Sequence, residues 1–174
     1  MAARGPDGTK GDVSHLSSLP APDRRYRILL VTSSGGVLLD LLGLCAWWSR
    51  HEPIWAAVPA ADTEAVLAGQ RVHWVPEQVA ARPLGLVAAT WTAWRILGHE
   101  RPDLLVSAGT GVAIGFFLAA KVRGVPALWL ETLNLVREPG LASRVCSRLA
   151  ARVLVQRPEQ LRLRPGAVVL GDLY

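Results

Sequence analysis

The stretch from Val106 to Asn134, VSAGTGVAIGFFLAAKVRGVPALWLETLN, leaves the chain few folds to choose from. An apolar run, Leu104-Leu105-Val106, stops at Ser107-Ala108-Gly109-Thr110-Gly111, and helical periodicity follows to Arg123. Gly124-Val125-Pro126 breaks that helix, and Ala127 to Leu130 is a second apolar run ending on Glu131. Strand, glycine turn, helix and strand in this order make one right-handed βαβ unit. The turn offers backbone N–H groups and the positive end of a helix dipole, a combination that suits an anion such as a phosphate. Glu131 falls at a strand tip, where open α/β sheets place their ligands.

The same alternation runs through the rest of the chain. Tyr26 to Thr32 reads as a strand, Ser33-Ser34-Gly35-Gly36 as a second glycine turn, and Val37 to Ser49 as a helix. Ile54 to Val58 is a short strand, and Asp62 or Thr63 can cap a helix through Ala68. Val72 to Val75, a long helical run over Leu84 to Gly98, and Arg101-Pro102-Asp103 lead into the stretch above. Leu141 to Arg152 reads as a helix with Arg144, Arg148 and Arg152 on one face. Val153 to Val155, one helical turn over Pro158 to Leu163, and a strand at Ala167 to Leu170 complete the pattern. The expected fold is α/β: a Rossmann-like, mostly parallel sheet with helices on both faces. Met1 to Arg25, rich in Gly, Ser and Pro and without apolar periodicity, reads as a disordered tail before one domain over Tyr26 to Tyr174.

Charge and composition narrow the function. Nine basic residues and three acidic ones lie between Lys121 and Arg164, mostly Arg. An anionic membrane surface or a diphosphate ligand fits this better than nucleic acid, which has no accompanying motif. Leu104 to Ala120 carries no charge over 17 residues, but its glycines and the Ser-Ala-Gly-Thr-Gly break favour strand plus helix over a membrane span. Cys45 and Cys146 have no metal-binding spacing and read as buried free thiols. His51, His73 and His99 read as surface loop or strand residues. Of seven tryptophans, Trp91 and Trp94 lie three apart on the long helix, which could rest at a membrane interface or pack against the core or a partner.

Neither glycine turn is a Walker motif, and Gly109, Gly111 and Gly115 give GxGxxxG rather than GxGxxG. Two such turns at one sheet edge would nevertheless form a cleft rich in N–H donors, suited to a diphosphate. Five short motifs recur here in a specific order: Ser33-Ser34-Gly35-Gly36; Arg101-Pro102-Asp103 with Ser107 to Gly111; Gly124-Val125-Pro126 before Glu131; Val155-Gln156 with Pro158; and Gly171-Asp172-Leu173-Tyr174. Through them, Tyr26 to Tyr174 resembles the amino-terminal half of a GT-B glycosyltransferase. The resemblance is in particular to PssD-type polysaccharide biosynthesis proteins. It extends to the membrane-anchoring subunit of the two-part UDP-N-acetylglucosamine transferase of dolichol-linked oligosaccharide synthesis, with MurG as the fused relative.

The resemblance implies an inverting sugar transfer to a polyprenyl-diphosphate-linked acceptor, in polysaccharide or lipid-linked oligosaccharide biosynthesis. This chain would hold the acceptor, and a separate subunit like the carboxyl-terminal GT-B half would hold the nucleotide sugar. It further implies a bacterial protein peripheral to the cytoplasmic face of a membrane, inactive without its partner, and calls for no cofactor and no metal. The substrate-binding set is Ser33, Ser34, Gly35, Gly36, Gly109, Thr110, Gly111 and Asn134. The family turn usually reads Ser-Gly-Gly-His, but Val37 stands at the His position here, which leaves Asp40 and Glu131 as candidates for the catalytic base. Two other readings stand beside this one: a non-catalytic scaffold that activates a partner transferase at the membrane, and a nucleotide-binding α/β module of another kind.

Overall fold

The computed structural model describes residues 24–77, 83–133 and 139–173. Within them, seven strands form one parallel sheet: β1 (Arg27–Thr32), β2 (Glu52–Ala57), β3 (Val72–Trp74), β4 (Leu104–Ser107), β5 (Ala127–Leu130), β6 (Arg152–Val155) and β7 (Val168–Val169). Their order is β3-β2-β1-β4-β5-β6-β7. The chain builds outward from β1 in one direction, then returns to β4 and builds in the other. Loops leaving β1 and β4 therefore diverge, and a crevice opens between them at the carboxyl edge.

The strands of such a sheet are apolar on both faces because both faces are covered. Leu29, Val31, Leu105, Ala127 and Trp129 pack beneath α4 (Pro83–Glu100), α5 (Gly111–Arg123) and α6 (Leu141–Leu149). Ile28, Leu30, Trp55, Val106 and Leu130 face the other layer, which holds α1 (Gly36–Gly43). Two short α-helices, α2 (Cys45–Trp48) and α3 (Ala61–Val66), and a 3-10 helix over Pro158–Arg162 complete the set among the described residues. Helices α4 and α5 approach closely at Gly115, where an added Cβ would lie 3.0 Å from the Ala89 carbonyl carbon and from the Thr90 nitrogen.

Local chemistry explains the boundaries. Gly124 ends α5 with φ of 70°, and the Val125 N–H donates to the Ala120 carbonyl at 2.9 Å, so the helix reverses into β5. The Arg-Pro-Asp motif is a brace at the amino edge: the Asp103 carboxylate accepts from the Arg27 N–H at 2.9 Å, and the Asp103 N–H donates to the Arg27 carbonyl at 2.8 Å. Thr63 stabilises the entry to α3, its hydroxyl accepting from the Ala60 N–H at 2.9 Å and donating to the Val58 carbonyl at 2.8 Å.

Three sequence expectations change. The helix expected over Val37 to Ser49 is two helices, broken at Leu44, and the change of direction turns Cys45 to the surface while Cys146 is buried. The helix expected to reach Arg152 ends at Leu149: Ala150 turns extended and the Ala151 N–H bonds the Ala127 carbonyl, so Arg152 opens β6 and does not share a helix face with Arg144 and Arg148. His99 lies on α4, and His73 is not a bare surface residue, since its Nε2 is 2.6 Å from the buried Glu100 carboxylate. The segment Leu104 to Ala120 is strand β4 followed by most of α5, and no helix among the described residues is long and apolar enough to cross a membrane.

Candidate functional site

Both glycine turns open at the carboxyl edge, one after β1 and one after the neighbouring β4. They touch: an added Cβ on Gly109 would lie 3.2 Å from a Val37 methyl. The Ser107 hydroxyl sits between them, donating to the Val31 or the Gly109 carbonyl, each 2.8 Å away. Ser34, Gly35, Gly36 and Thr110 are exposed, whereas Ser33 and Gly109 are buried in the walls. Gly35 precedes α1 and Thr110 precedes α5, and neither helix has a side-chain cap or an acidic residue in its first turn. Two helix amino ends, neither with a side-chain cap or a first-turn acid of its own, thus converge on one crevice, an arrangement that favours a bound anion. Asn134 lies outside the described residues.

The two candidate carboxylates are both buried, Asp40 at 3% exposure and Glu131 at 2%. They occupy opposite layers. Asp40 is on α1, and its Oδ1 accepts from the Gln156 side-chain amide at 3.1 Å. Glu131 shares its face with Trp129 and Ala127, turned toward α6. There its Oε1 accepts from Arg164 Nε at 2.6 Å and from the Ser143 hydroxyl at 2.7 Å, and Arg164 also donates to that hydroxyl. The ion pair of buried Glu131 with partly buried Arg164 anchors the β5 tip to the segment preceding β7. Burial first, and the Glu131 charge second, push the Cys146 thiol far above its ordinary value of 9.0, so it stays protonated.

Gln156 is the residue the sequence reading placed in a motif without giving it a role. It follows β6, is 1% exposed, and donates through Nε2 to Asp40 and, at 3.4 Å, to the Glu131 carbonyl. One amide therefore links the two layers beneath the crevice. Its backbone N–H is satisfied by Gln160 Oε1 at 2.9 Å, and Gln160 also donates to the Thr132 carbonyl at 2.8 Å. A polar residue straight after an apolar strand was the available signal. Arg164 gave none, because its partner lies 33 residues away. Among the described residues no group of three or more His, Cys, Asp or Glu is placed to hold a metal.

A second feature lies on the outer face of α4 and α5. Leu84, Val87 and Trp91 are exposed at helical spacing, Trp91 at 64%, and Val122 of α5 is exposed as well. Leu86, Val87, Thr90, Trp91, Trp94 and Leu118 line an open groove of about 500 Å³ that is almost wholly apolar. The Arg123 guanidinium stacks over the Trp94 ring, 3.8 Å from its centroid, and exposed Arg95 and Lys121 stand nearby in sequence. The tryptophans thus divide: Trp55 and Trp129 are core, and Trp91 faces outward.

No protein-family model matches the chain. It is 27% identical, over 176 aligned positions, to a UDP-N-acetylglucosamine--N-acetylmuramyl-(pentapeptide) pyrophosphoryl-undecaprenol N-acetylglucosamine transferase of Oceanobacillus iheyensis, an alignment covering 96% of this chain and 45% of that enzyme. The enzyme of the same name from Staphylococcus aureus is 26% identical over 175 positions, covering 95% and 45%. Among solved structures, MurG of Acinetobacter baumannii superposes with a TM-score of 0.65 at 22% identity, over 76% of this chain and 42% of that one. MnaA of S. aureus, solved with UDP, gives 0.66 at 13% identity, over 85% and 44%. The chain spans a little under half the length of the curated relatives it matches. The fold matches the Rossmann-like half of the GT-B fold, and the sequence likeness is to MurG-type enzymes.

Proposed function

We propose that this chain is the acceptor-binding half of a split, inverting glycosyltransferase, in which a second polypeptide supplies the donor-binding domain. The acceptor is a polyprenyl-diphosphate-linked molecule, in polysaccharide or lipid-linked oligosaccharide biosynthesis of the PssD kind. The observation that carries this reading is the pair of touching glycine turns at the switch point, each opening an uncapped helix end. Such a crevice presents N–H donors and two converging dipoles to a diphosphate. The chain aligns with 45% of a related transferase and 42% of a MurG structure, the share that one of two domains takes.

In the proposed reaction an acceptor hydroxyl attacks the anomeric carbon of the donor sugar. A carbon–oxygen bond forms there as the bond to the nucleotide diphosphate breaks, and the hydroxyl proton passes to a base. The glycine turns hold the acceptor diphosphate and fix the hydroxyl's direction. Asp40 is the first candidate for the base, since it lies on α1 directly after the first turn and its Oδ1 accepts from a neutral amide. Glu131 is the second, with an oxygen already engaged by Arg164 and Ser143. The exposed α4/α5 face would rest against an anionic bilayer, indole rings at the interface and Arg95, Lys121 and Arg123 toward the headgroups.

One specific observation favours the scaffold reading: Val37, which cannot move a proton, fills the contact between the two turns. The readings separate in one experiment. The chain is used as bait in solubilised membranes of its native host, co-purified proteins are identified by mass, and the complex is assayed with labelled nucleotide sugars. The split transferase predicts a partner like the carboxyl-terminal GT-B half, transfer by the pair and not by this chain alone, and loss of transfer in Asp40→Asn. Full transfer by a complex carrying both Asp40→Asn and Glu131→Gln would establish the scaffold. Recovery of no such partner would defeat the two-subunit account.

A further inference from the structure

The two glycine turns differ in one respect that the proposed acceptor site does not use. The Gly35 N–H of the first turn is already engaged: it donates to Asp62 Oδ2 at 2.7 Å. The other oxygen of that carboxylate, Oδ1, accepts from the Thr63 N–H at 2.9 Å. Asp62 lies in the first turn of α3, the helix that follows β2, the strand beside β1, and it is exposed. An internal anion thus sits where the amino ends of α1 and α3 converge, at the lip of the crevice.

We propose that Asp62 is a built-in competitor for the first glycine turn, which an incoming diphosphate must displace from Gly35. This inference rests on the reading of the turns as a diphosphate site. The physical case has three parts. A carboxylate on a backbone N–H at 2.7 Å is a charge-assisted bond, and it uses a donor that a phosphate oxygen would use. Its charge opposes a second anion at the same helix end. Its exposure makes departure easy, unlike Glu131, which is buried and held by the Arg164 guanidinium. The consequence is selectivity. A ligand that also engages the second turn, where α5 begins with neither a side-chain cap nor a first-turn acid, has enough contact to displace Asp62. A monoanion reaching only the first turn does not.

The test titrates the full chain with inorganic diphosphate, reading backbone amide shifts and the Kd, for the wild type, Asp62→Asn, Asp62→Ala and the control Glu64→Gln. Glu64 is an exposed carboxylate on the same short helix, so the control changes net charge equally. Asp62→Asn keeps an acceptor for Gly35 while removing charge, which guards against loss of the turn itself, and far-UV circular dichroism checks the fold of every variant. The expected result is tightening by about tenfold in both Asp62 variants, the size of one charged hydrogen bond. Gly35 and Gly109 to Gly111 should shift, and Glu64→Gln should bind as the wild type does. Equal affinity in all four proteins, with both turns shifting, would overturn the role of Asp62 and leave the diphosphate site standing. Tightening in Glu64→Gln equal to that in Asp62→Asn would also overturn it, as a net-charge effect. No shift at either turn in any protein would overturn the diphosphate reading, and this inference with it.

Discussion

The crevice at the carboxyl edge and the outer face of α4 and α5 are opposites in how they are finished. At the crevice the described carboxylates each have a protein partner. Asp40 has Gln156, Glu131 has Arg164 and Ser143, and Asp62 has Gly35. On the outer face the apolar side chains of Leu84, Val87 and Trp91 have no such cover. A buried charge cannot be left without a partner, so a polar site must be complete before the ligand arrives. An exposed apolar face tolerates incompleteness at modest cost until something covers it. The contrast fits the proposed roles, a ligand site at the crevice and a docking surface on the outer helices.

Breaking the crevice should produce the largest effect. Glu131→Ala strands the partly buried Arg164 and should cost about 3–5 kcal/mol in urea unfolding. Replacing both residues by Leu should recover most of that loss. A cost below about 1 kcal/mol for the single change would mean that water screens the pair, as it does surface pairs. On the outer face, Trp91→Ser with Trp94→Ser should weaken binding to vesicles rich in anionic lipid by on the order of a hundredfold, from two lost indole burials. Unchanged vesicle binding would remove the membrane from the account.

Between the two regions lies the α4–α5 contact. Gly115→Ala places a methyl against backbone atoms of α4 and should cost about 1–3 kcal/mol, while widening the groove between the helices. Loss of stability without change in vesicle binding would show that the groove's shape is not what the bilayer reads. The smallest effect concerns Cys146. The folded state keeps its thiol protonated, whereas the unfolded chain loses that proton as pH passes 9.0. The unfolded state then binds fewer protons, so stability falls with rising pH above that point, by at most about 1.4 kcal/mol per pH unit. Cys146→Ala should flatten this alkaline decline, and a decline that survives the substitution would locate its source elsewhere. Exposed Cys45 should react with a thiol reagent in the native protein, and Cys146 only on unfolding.

The fold was legible because its signals are local. Apolar runs stopping at glycine turns, and Gly124-Val125-Pro126 ending a helix, placed the strands to within a residue or two. The break at Leu44 was not legible, since Val37 to Ser49 keeps helical spacing through Gly43. Nor was the end of α6 at Leu149, where strand pairing of Ala151 with Ala127 overrides a continuing arginine spacing. The turns could be read as an anion site from composition and position. Occupancy of the first turn by Asp62, the burial of Asp40 under Gln156 and the pairing of Glu131 with Arg164 are long-range contacts, which no window along the sequence contains.

The central claim is that the crevice holds a lipid diphosphate rather than a nucleotide. It is tested most directly by titrating the full chain, without a partner, with geranylgeranyl diphosphate and separately with UDP-N-acetylglucosamine while following backbone amides. The account predicts that the lipid diphosphate shifts the amides of Gly35 to Val37 and Gly109 to Val112, and that the nucleotide sugar leaves them unmoved. Shifts at those amides with the nucleotide sugar, and none with the lipid diphosphate, would contradict it and identify a nucleotide-binding module.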